Sequence, residues 1–339
     1  MRPRLLVVEL WALGDLLLTT PFLRAAAKKF DVTLLAQPVA VQLQPRFWPE
    51  VAVVPSVLPW TAFRPREKYN PTQWRWRELA ALVRRLRAPH FDMAVSTRWD
   101  PRDHFLIWLT GAKRRVGFPR LGSGLFLNER LALPGPNAHR YENWRAAGQH
   151  LGLDLPPRND LFSTAPRSNV ILVHTGAAQP TRIWPLDRFQ YLVQRLRQEG
   201  YSAQIICNAD QREWWEKQGE TVHIPSSITE LVAEIEGAGV FVGNDSGPGH
   251  IAASLGLPTF TLFGNQSPAF FSPLHRDAEW IEGAPCPYKP CYDFCHFARP
   301  ECLLAIDAPA AWNKLKLFIE KHIAKTAPPG HNQAATIVK

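Results

Sequence analysis

Three stretches of this 339-residue chain bring together residue types that could hold an anion or move a proton. The most informative is Gly243 to Gly264, GNDSGPGHIAASLGLPTFTLFG, where an apolar strand opens into a glycine-rich turn and then a helical pattern. A turn built from Ser246, Gly247 and Gly249 can aim backbone N–H groups at an anion, and the dipole of the following helix adds favourable potential. A diphosphate is the natural guest, and His250 at the helix start could donate to it or to an attached sugar. The same letters also spell a capped tight turn with no ligand, because Asp and Ser are common N-caps. A second stretch, HTGAAQPTRIWP from His174, puts Thr175 and Gly176 where strand meets loop, a usual place for phosphate contacts in open α/β sheets. Arg182 in that loop could clamp an anionic leaving group with its guanidinium fork, or be a plain surface arginine. The third is Leu13-Gly14-Asp15 at the end of the first strand. A carboxylate there could accept a proton from an attacking hydroxyl or cap a helix, and the local pattern fits both.

Something must position these loops. Leu5 to Leu10 is a short, nearly continuous apolar run of the kind a buried parallel strand shows, and Val32 to Ala36, Val51 to Val54 and Asp92 to Thr97 read as further strands. Trp74 to Leu86, WRWRELAALVRRL, has apolar residues at helical spacing with Arg84, Arg85 and Arg87 near its end. Residues 156 to 168 concentrate Pro, Ser, Asn and Asp, the composition of a linker. Beyond them the alternation restarts: strands at Asn169 to His174, Ser202 to Cys207, Val240 to Gly243 and Thr259 to Phe263, and helices at Leu186 to Glu199, Ile228 to Ala238 and Ile251 to Leu255. The expectation is an α/β protein of two Rossmann-like, doubly wound domains facing a cleft. Residues 1–160 form the first domain, 161–168 the linker, 169–306 the second domain, 307–325 a C-terminal helix, and 326–339 a disordered tail.

The formal charge of +9 is unevenly spread. Residues 1–165 hold 24 Lys/Arg against 13 Asp/Glu, net +11, whereas 166–339 hold 15 against 17, net −2. A basic first half expects an anionic partner. Trp74 and Trp76, interleaved with Arg75 and Arg77 and preceded by Arg64, Arg66 and Lys68, form a basic aromatic patch that suits a membrane surface, an acceptor's phosphates, or simply water. No recognition motif accompanies the charge, so nucleic acid is not expected. Glu9 and Asp15 interrupt the N-terminal apolar run, no small-residue cleavage site follows, and no stretch approaches the roughly 18 apolar residues of a spanning helix. A cytoplasmic protein is expected, with peripheral contact at the cytoplasmic face of the inner membrane. Of five cysteines, Cys207 stands apart and Cys286, Cys291, Cys295 and Cys302 crowd together. Their gaps of four, three and six residues lack the two-residue knuckle of a zinc site, so no metal is expected and a structural site remains the minor alternative.

The residues carry a resemblance. VVELWALGDLLLTTPFLRA, GAKRRVGF at Gly111 to Phe118, the HTGA and RIWP pieces and NDSGPGHIAASLGLPTFTLFG are similar, in the same order from about Val7 to Ile306, to glycosyltransferase family 9, the ADP-heptose:lipopolysaccharide heptosyltransferases. The resemblance implies a GT-B fold, with the acceptor on the first domain and the nucleotide sugar on the second, and the two-domain plan suggests closure over the substrates. It implies Asp15 as the base of an inverting transfer, no required cofactor or metal, and an ADP-sugar, in all expectation ADP-heptose, as donor. It implies donor contacts from Thr175, Gly176, Arg182, Asp245, Ser246, Gly247 and His250, and from Asp210 toward the ribose. Ser246 stands where Thr is commoner, and Arg182 where the family usually has Lys. An anionic lipopolysaccharide-core glycolipid is the implied acceptor, with Arg75, Arg77, Arg114 and Arg115 as acceptor or membrane contacts. A nucleotide-sugar 2-epimerase-like isomerase and a non-catalytic nucleotide-sugar or glycolipid binding protein are the rival readings.

Overall fold

The structure is a computed structural model and describes residues 2–61, 69–135, 137–161, 168–291 and 293–323. Two parallel six-stranded sheets follow each other along the chain. The first holds β1 (Arg4–Glu9), β2 (Asp31–Ala36), β3 (Ala52–Pro55), β4 (Met93–Ser96), β5 (Arg114–Gly117) and β6 (Glu129–Arg130), in the order β3-β2-β1-β4-β5-β6. The second holds β7 (Val170–His174), β8 (Ser202–Ile206), β9 (Val222–His223), β10 (Val240–Asn244), β11 (Thr259–Phe263) and β12 (Ala278–Glu282), in the order β12-β11-β10-β7-β8-β9. In each sheet the strand order reverses at the centre, between β1 and β4 and between β7 and β10. Loops leaving the carboxyl ends of strands at such a reversal diverge and leave a crevice, where α/β sheets bind ligands.

The central strands are apolar because helices cover both faces. In β1 every residue after Arg4 is buried, as are all five of β10 and β11. The helices are α1 (Leu13–Leu18), α2 (Thr20–Lys29), α3 (Val39–Phe47), α4 (Trp76–Arg87), α5 (Pro101–Leu109), α6 (Arg140–His150), α7 (Leu186–Gln198), α8 (Arg212–Lys217), α9 (Ile228–Glu236), α10 (Gly247–Ser254), α11 (Pro268–Phe271), α12 (Glu301–Leu304) and α13 (Ala308–His322). Helix α7 shows the logic: it buries Phe189, Leu192, Val193 and Leu196, one face at helical spacing, and leaves Asp187, Gln194, Arg197 and Gln198 exposed. Caps fix where helices begin, as when Asp100 accepts from the Arg102 amide at 3.0 Å and Ser227 from the Glu230 amide at 3.1 Å.

One apolar cluster crosses between the sheets, joining Leu5, Val7 and Leu16 of the first with Leu231, Val232, Ile251 and Leu255 of the second. Helix α13 packs into the core of the second sheet through Trp312, Leu315, Phe318 and Ile319. The expected strands and helices are present within a few residues, and α10 starts four residues earlier than expected, at Gly247. Most of the expected linker, residues 162–167, and the expected tail lie outside the described residues.

Candidate active site

The donor side is built by the loops after β7 and β10. Asn244, the last residue of β10, is buried and ties them together: its amide group donates to the Thr175 carbonyl at 2.9 Å, and its Oδ1 accepts from the Trp184 amide at 3.0 Å. Buried Trp184 is anchored again through Nε1 to the Ile306 carbonyl at 3.0 Å. This anchor sets the position of Arg182, two residues earlier. Its Nε and Nη2 grip Asp293 at 2.6 and 2.8 Å, and its Nη1 lies 3.4 Å from both the backbone oxygen and Oδ2 of Asp245. Asp293 is held in turn by Asn265 at 2.8 Å and adopts a left-handed backbone, φ 72°. Such strain in a non-glycine residue gathers at functional sites. Burial works against the charge on Arg182, but the Asp293 hydrogen bonds and the neighbouring carboxylates raise its pKa, so the cation is secure. Burial pushes Asp245 up to about 6, with Arg182 pulling the other way.

Ser246 stands at the N-cap of α10 with extended backbone and Pro248 follows in the first turn, a preorganised helix start. His250 is buried one turn on. Burial, reinforced by Arg182, pulls its pKa down to about 4, so the ring is neutral, and its Nδ1 has no hydrogen-bond partner among the described residues.

The opposite wall comes from the loops after β1 and β4 and the start of α6. Trp11 is flanked by two guanidinium groups, Arg98 at 4.7 Å and Arg140 at 4.2 Å from its ring, and Arg140 also lies 4.8 Å from the Trp99 ring. Arg140 Nε is 3.7 Å from Asp15 Oδ1. Arg98 is buried against Asp103 at 3.2 Å. Glu9, the last residue of β1, is also buried and accepts from the Trp11 amide at 3.0 Å. Burial raises the pKa of Asp15, with Arg140, Arg98 and Arg182 opposing it. Glu9 is pushed up to about 7, first by burial and then by the charge of Asp15. Arg140 is fixed by its neighbour: His139 accepts from the Tyr141 amide through Nδ1, which leaves Nε2 to donate to the Ser272 carbonyl across the domain boundary at 2.9 Å.

The two walls meet at glycines. A Cβ on Gly14 would sit 2.8 Å from Cδ2 of His250, and one on Gly247 would sit 2.4 Å from Cδ2 of Leu13. Asp15 therefore opens onto the space beside the α10 start and Arg182. One wall can hold an acceptor and take its proton, and the other can hold a diphosphate.

Comparison with known proteins decides the family. The sequence model of glycosyltransferase family 9 (heptosyltransferase) matches residues 79–294, well over half of the chain. The chain belongs to glycosyltransferase family 9. It is similar to lipopolysaccharide heptosyltransferase 1 of Pseudomonas aeruginosa, 26% identical over 314 residues that cover 85% of this chain and 86% of that protein. Lipopolysaccharide heptosyltransferase 3 of Escherichia coli K12 is 30% identical over 126 residues, 34% of this chain and 37% of its own length. Among solved structures, E. coli heptosyltransferase WaaC with ADP superposes with a TM-score of 0.70 at 19% identity, covering 94% of this chain and 99% of that one. The protein is thus a glycosyltransferase of GT-B architecture.

In this family 9 glycosyltransferase, Asp15, Arg182, Asp245, Ser246, Gly247 and His250 lie around one crevice. The other residues expected to bind make the following contacts. The Thr175 hydroxyl turns inward, donating to Gln211 Oε1 at 2.9 Å and accepting from Trp215 Nε1, so it serves packing. Gly176 admits Asn208, whose Oδ1 lies 2.0 Å from where a Cβ would be. Arg114 and Arg115 start β5, at the sheet end opposite the crevice. There Arg114 binds Glu129 at 2.5 and 2.9 Å, and Arg115 binds the carbonyls of Phe126 and Ala112. Arg75 and Arg77 are exposed on α4, Arg75 pairing with Glu78 at 3.1 Å, and no described contact links them to the Asp15 wall. Asp210 is exposed at the short turn Ala209–Gln211. Arg64, Arg66 and Lys68 lie outside the described residues.

Sequence reading missed Glu9, Arg98, Arg140 and Asp293. A signal existed for two of them: Glu9 is an acid ending an apolar strand, and Arg98 follows β4 directly in the crevice position. The four clustered cysteines carry free thiols and line a cavity of about 20 Å³, room for a single water. Burial raises the pKa of Cys291 and Cys302, which keeps them as thiols. No group of three or more ligating side chains suited to a metal occurs among the described residues.

Proposed function

We propose that the protein is an inverting, metal-independent heptosyltransferase that moves heptose from ADP-heptose to a hydroxyl of an anionic, lipopolysaccharide-core-type glycolipid. On this reading it acts in the cytoplasm, at the inner face of the inner membrane. The observation that carries the reading is the apposition of Gly14 and His250, which brings the Asp15 carboxylate against the helix start that would hold the donor diphosphate. The names of its relatives support the heptose, and WaaC with ADP supports the nucleotide.

The chemistry is a single displacement. The acceptor oxygen attacks the anomeric carbon, Asp15 takes the hydroxyl proton, and the bond to the β-phosphate oxygen breaks with its electron pair leaving on ADP. Attack opposite the leaving group inverts the anomeric centre. A carboxylate whose pKa is raised by burial is a better base for this step than a solvated one. Arg182 and the α10 dipole supply positive potential where negative charge grows on the departing diphosphate, the part a divalent cation plays elsewhere. Neutral His250 can donate one hydrogen bond without setting a second cation beside Arg182. Arg140, braced on Trp11 beside Asp15, is the cation that would meet an acceptor's anionic groups, with Arg98 buried behind it against Asp103.

Asp15→Asn should lower transfer by about 10²- to 10⁴-fold, the usual contribution of a positioned base, while ADP affinity measured by calorimetry stays within about twofold. Retained transfer in that variant removes Asp15 from the chemical step.

A further inference from the structure

Beyond the catalytic cleft, the first domain carries an exposed apolar face that neither donor nor acceptor chemistry explains. On α5, Phe105 and Trp108 are 42% and 46% exposed, with rings stacked 5.7 Å apart. Phe126 lies 5.2 and 5.9 Å from those two rings, which makes a continuous aromatic triangle. Above it projects the short 3₁₀ turn Ser123–Phe126 and the loop before it, whose Leu125 and Leu121 are 81% and 83% exposed. Leu121 takes a left-handed backbone, φ 50°, a costly conformation for a branched apolar residue, and spends it on pointing outward. Large apolar side chains clustered at a tip mark a binding surface, whereas scattered ones need no explanation.

Basic side chains outnumber acids around this face, where Glu78 of α4 and Glu129 beside Arg130 are acids already paired with Arg75 and Arg114. From residue 101 to 128 the sequence contains a single acid, Asp103, which is buried against Arg98 and Trp60. Arg120 is exposed beside Leu121, and Arg130 reaches the Gly124 carbonyl at 3.1 Å, at the base of the tip. The neighbouring α4, packed on the same core, exposes Arg77, Arg84, Arg85 and Arg87. A second copy of the chain fits poorly, because a two-fold contact would set these arginines against themselves. A projecting apolar tip ringed by arginines is instead complementary to the interface of an anionic bilayer, with aromatics and leucines at the acyl boundary and guanidinium groups on the phosphates.

We propose that the face formed by Phe105, Trp108, Phe126, Leu121 and Leu125 is a lipid-docking surface that seats the first domain on an anionic membrane. It centres the contact on α5 rather than on the Trp74–Trp76 segment that the sequence suggested, where Trp74 is drawn in against Trp60 at 5.4 Å.

The test is flotation of the full chain with phosphatidylglycerol–phosphatidylethanolamine vesicles and with phosphatidylcholine vesicles. Wild-type protein should float with the anionic vesicles and not with the neutral ones. The double variant Leu121→Asp/Leu125→Asp, altered only at exposed side chains, should lose about tenfold or more of the bound fraction, with ADP affinity and melting temperature unchanged. Trp108→Ser alone should lose a smaller share. Undiminished flotation of the double variant overturns the proposal, as does failure of wild type to float. A dimer in analytical ultracentrifugation that the double variant dissolves also overturns it, because the occupant would then be a second copy.

Discussion

Glu9 and Asp15 are two buried carboxyls within reach of each other's field, and their titration belongs to the pair. In the mechanism proposed above the base works only when Asp15 is ionised, so transfer should fall as pH drops through its raised pKa. Burial and the Asp15 charge hold Glu9 protonated up to about 7, so Asp15 ionises beside a neutral Glu9. Glu9→Gln should therefore leave the acid limb of the kcat/KM profile in place. A limb that moves in that variant would disprove this order of ionisation. The same residue affects stability with a definite sign. Folded Glu9 keeps its proton up to about 7, whereas the unfolded chain releases it near 4.5, so the folded state binds more protons between those values and stability falls as pH rises through that window. The variant's melting temperature should lack that decline. At this scale the glycines and loops of the sequence pointed to Asp15, Arg182, Asp245, Ser246 and His250, which the structure brings around one crevice. It did not disclose Arg98 and Arg140, 42 positions apart and joined only through the Trp11 ring, nor Asp293, whose role exists only because a distant loop folds back onto Arg182.

The elements were legible wherever burial dictated composition. Continuous apolar runs marked β1, β7, β10 and β11, and helical spacing marked α7 and α9. What escaped were the inner strand Arg114–Gly117, helices α5 and α6, and edge strands such as Glu129–Arg130 and Val222–His223, the last too short to show periodicity. Helix α10 was legible in kind but not in start, because its glycines read as turn whereas Pro248 with the N-cap Ser246 begins the helix there. The contact of α1 with α10 depends on having no side chain at position 14. Gly14→Ala would drive a methyl into the rigid His250 ring, 2.8 to 2.9 Å away. The expected outcome is a stability loss of about 1–3 kcal/mol with weaker ADP binding, read from thermal melts and calorimetry. Unchanged ADP affinity would show that the α10 start tolerates displacement.

For the molecule as a whole, the two parallel sheets expected from the sequence are present. The apolar cluster that crosses from the first sheet to the second was not foreseeable, because Leu231, Val232, Ile251 and Leu255 read simply as the inner faces of their own helices. Sharing a core couples the halves. Heating should give one cooperative transition, and ADP at about 100 times its Kd should stabilise the whole chain by about 2.7 kcal/mol. Two resolved transitions, with ADP moving only one, would contradict that coupling.

The shared cluster also limits how such an enzyme can be rebuilt. Transplanting the second half onto a foreign first half would break up a cluster that Leu231, Val232, Ile251 and Leu255 share with Leu5, Val7 and Leu16. New acceptor preferences are therefore more accessible through the loops that carry Trp11, Trp99 and Arg140 than through exchange of entire domains.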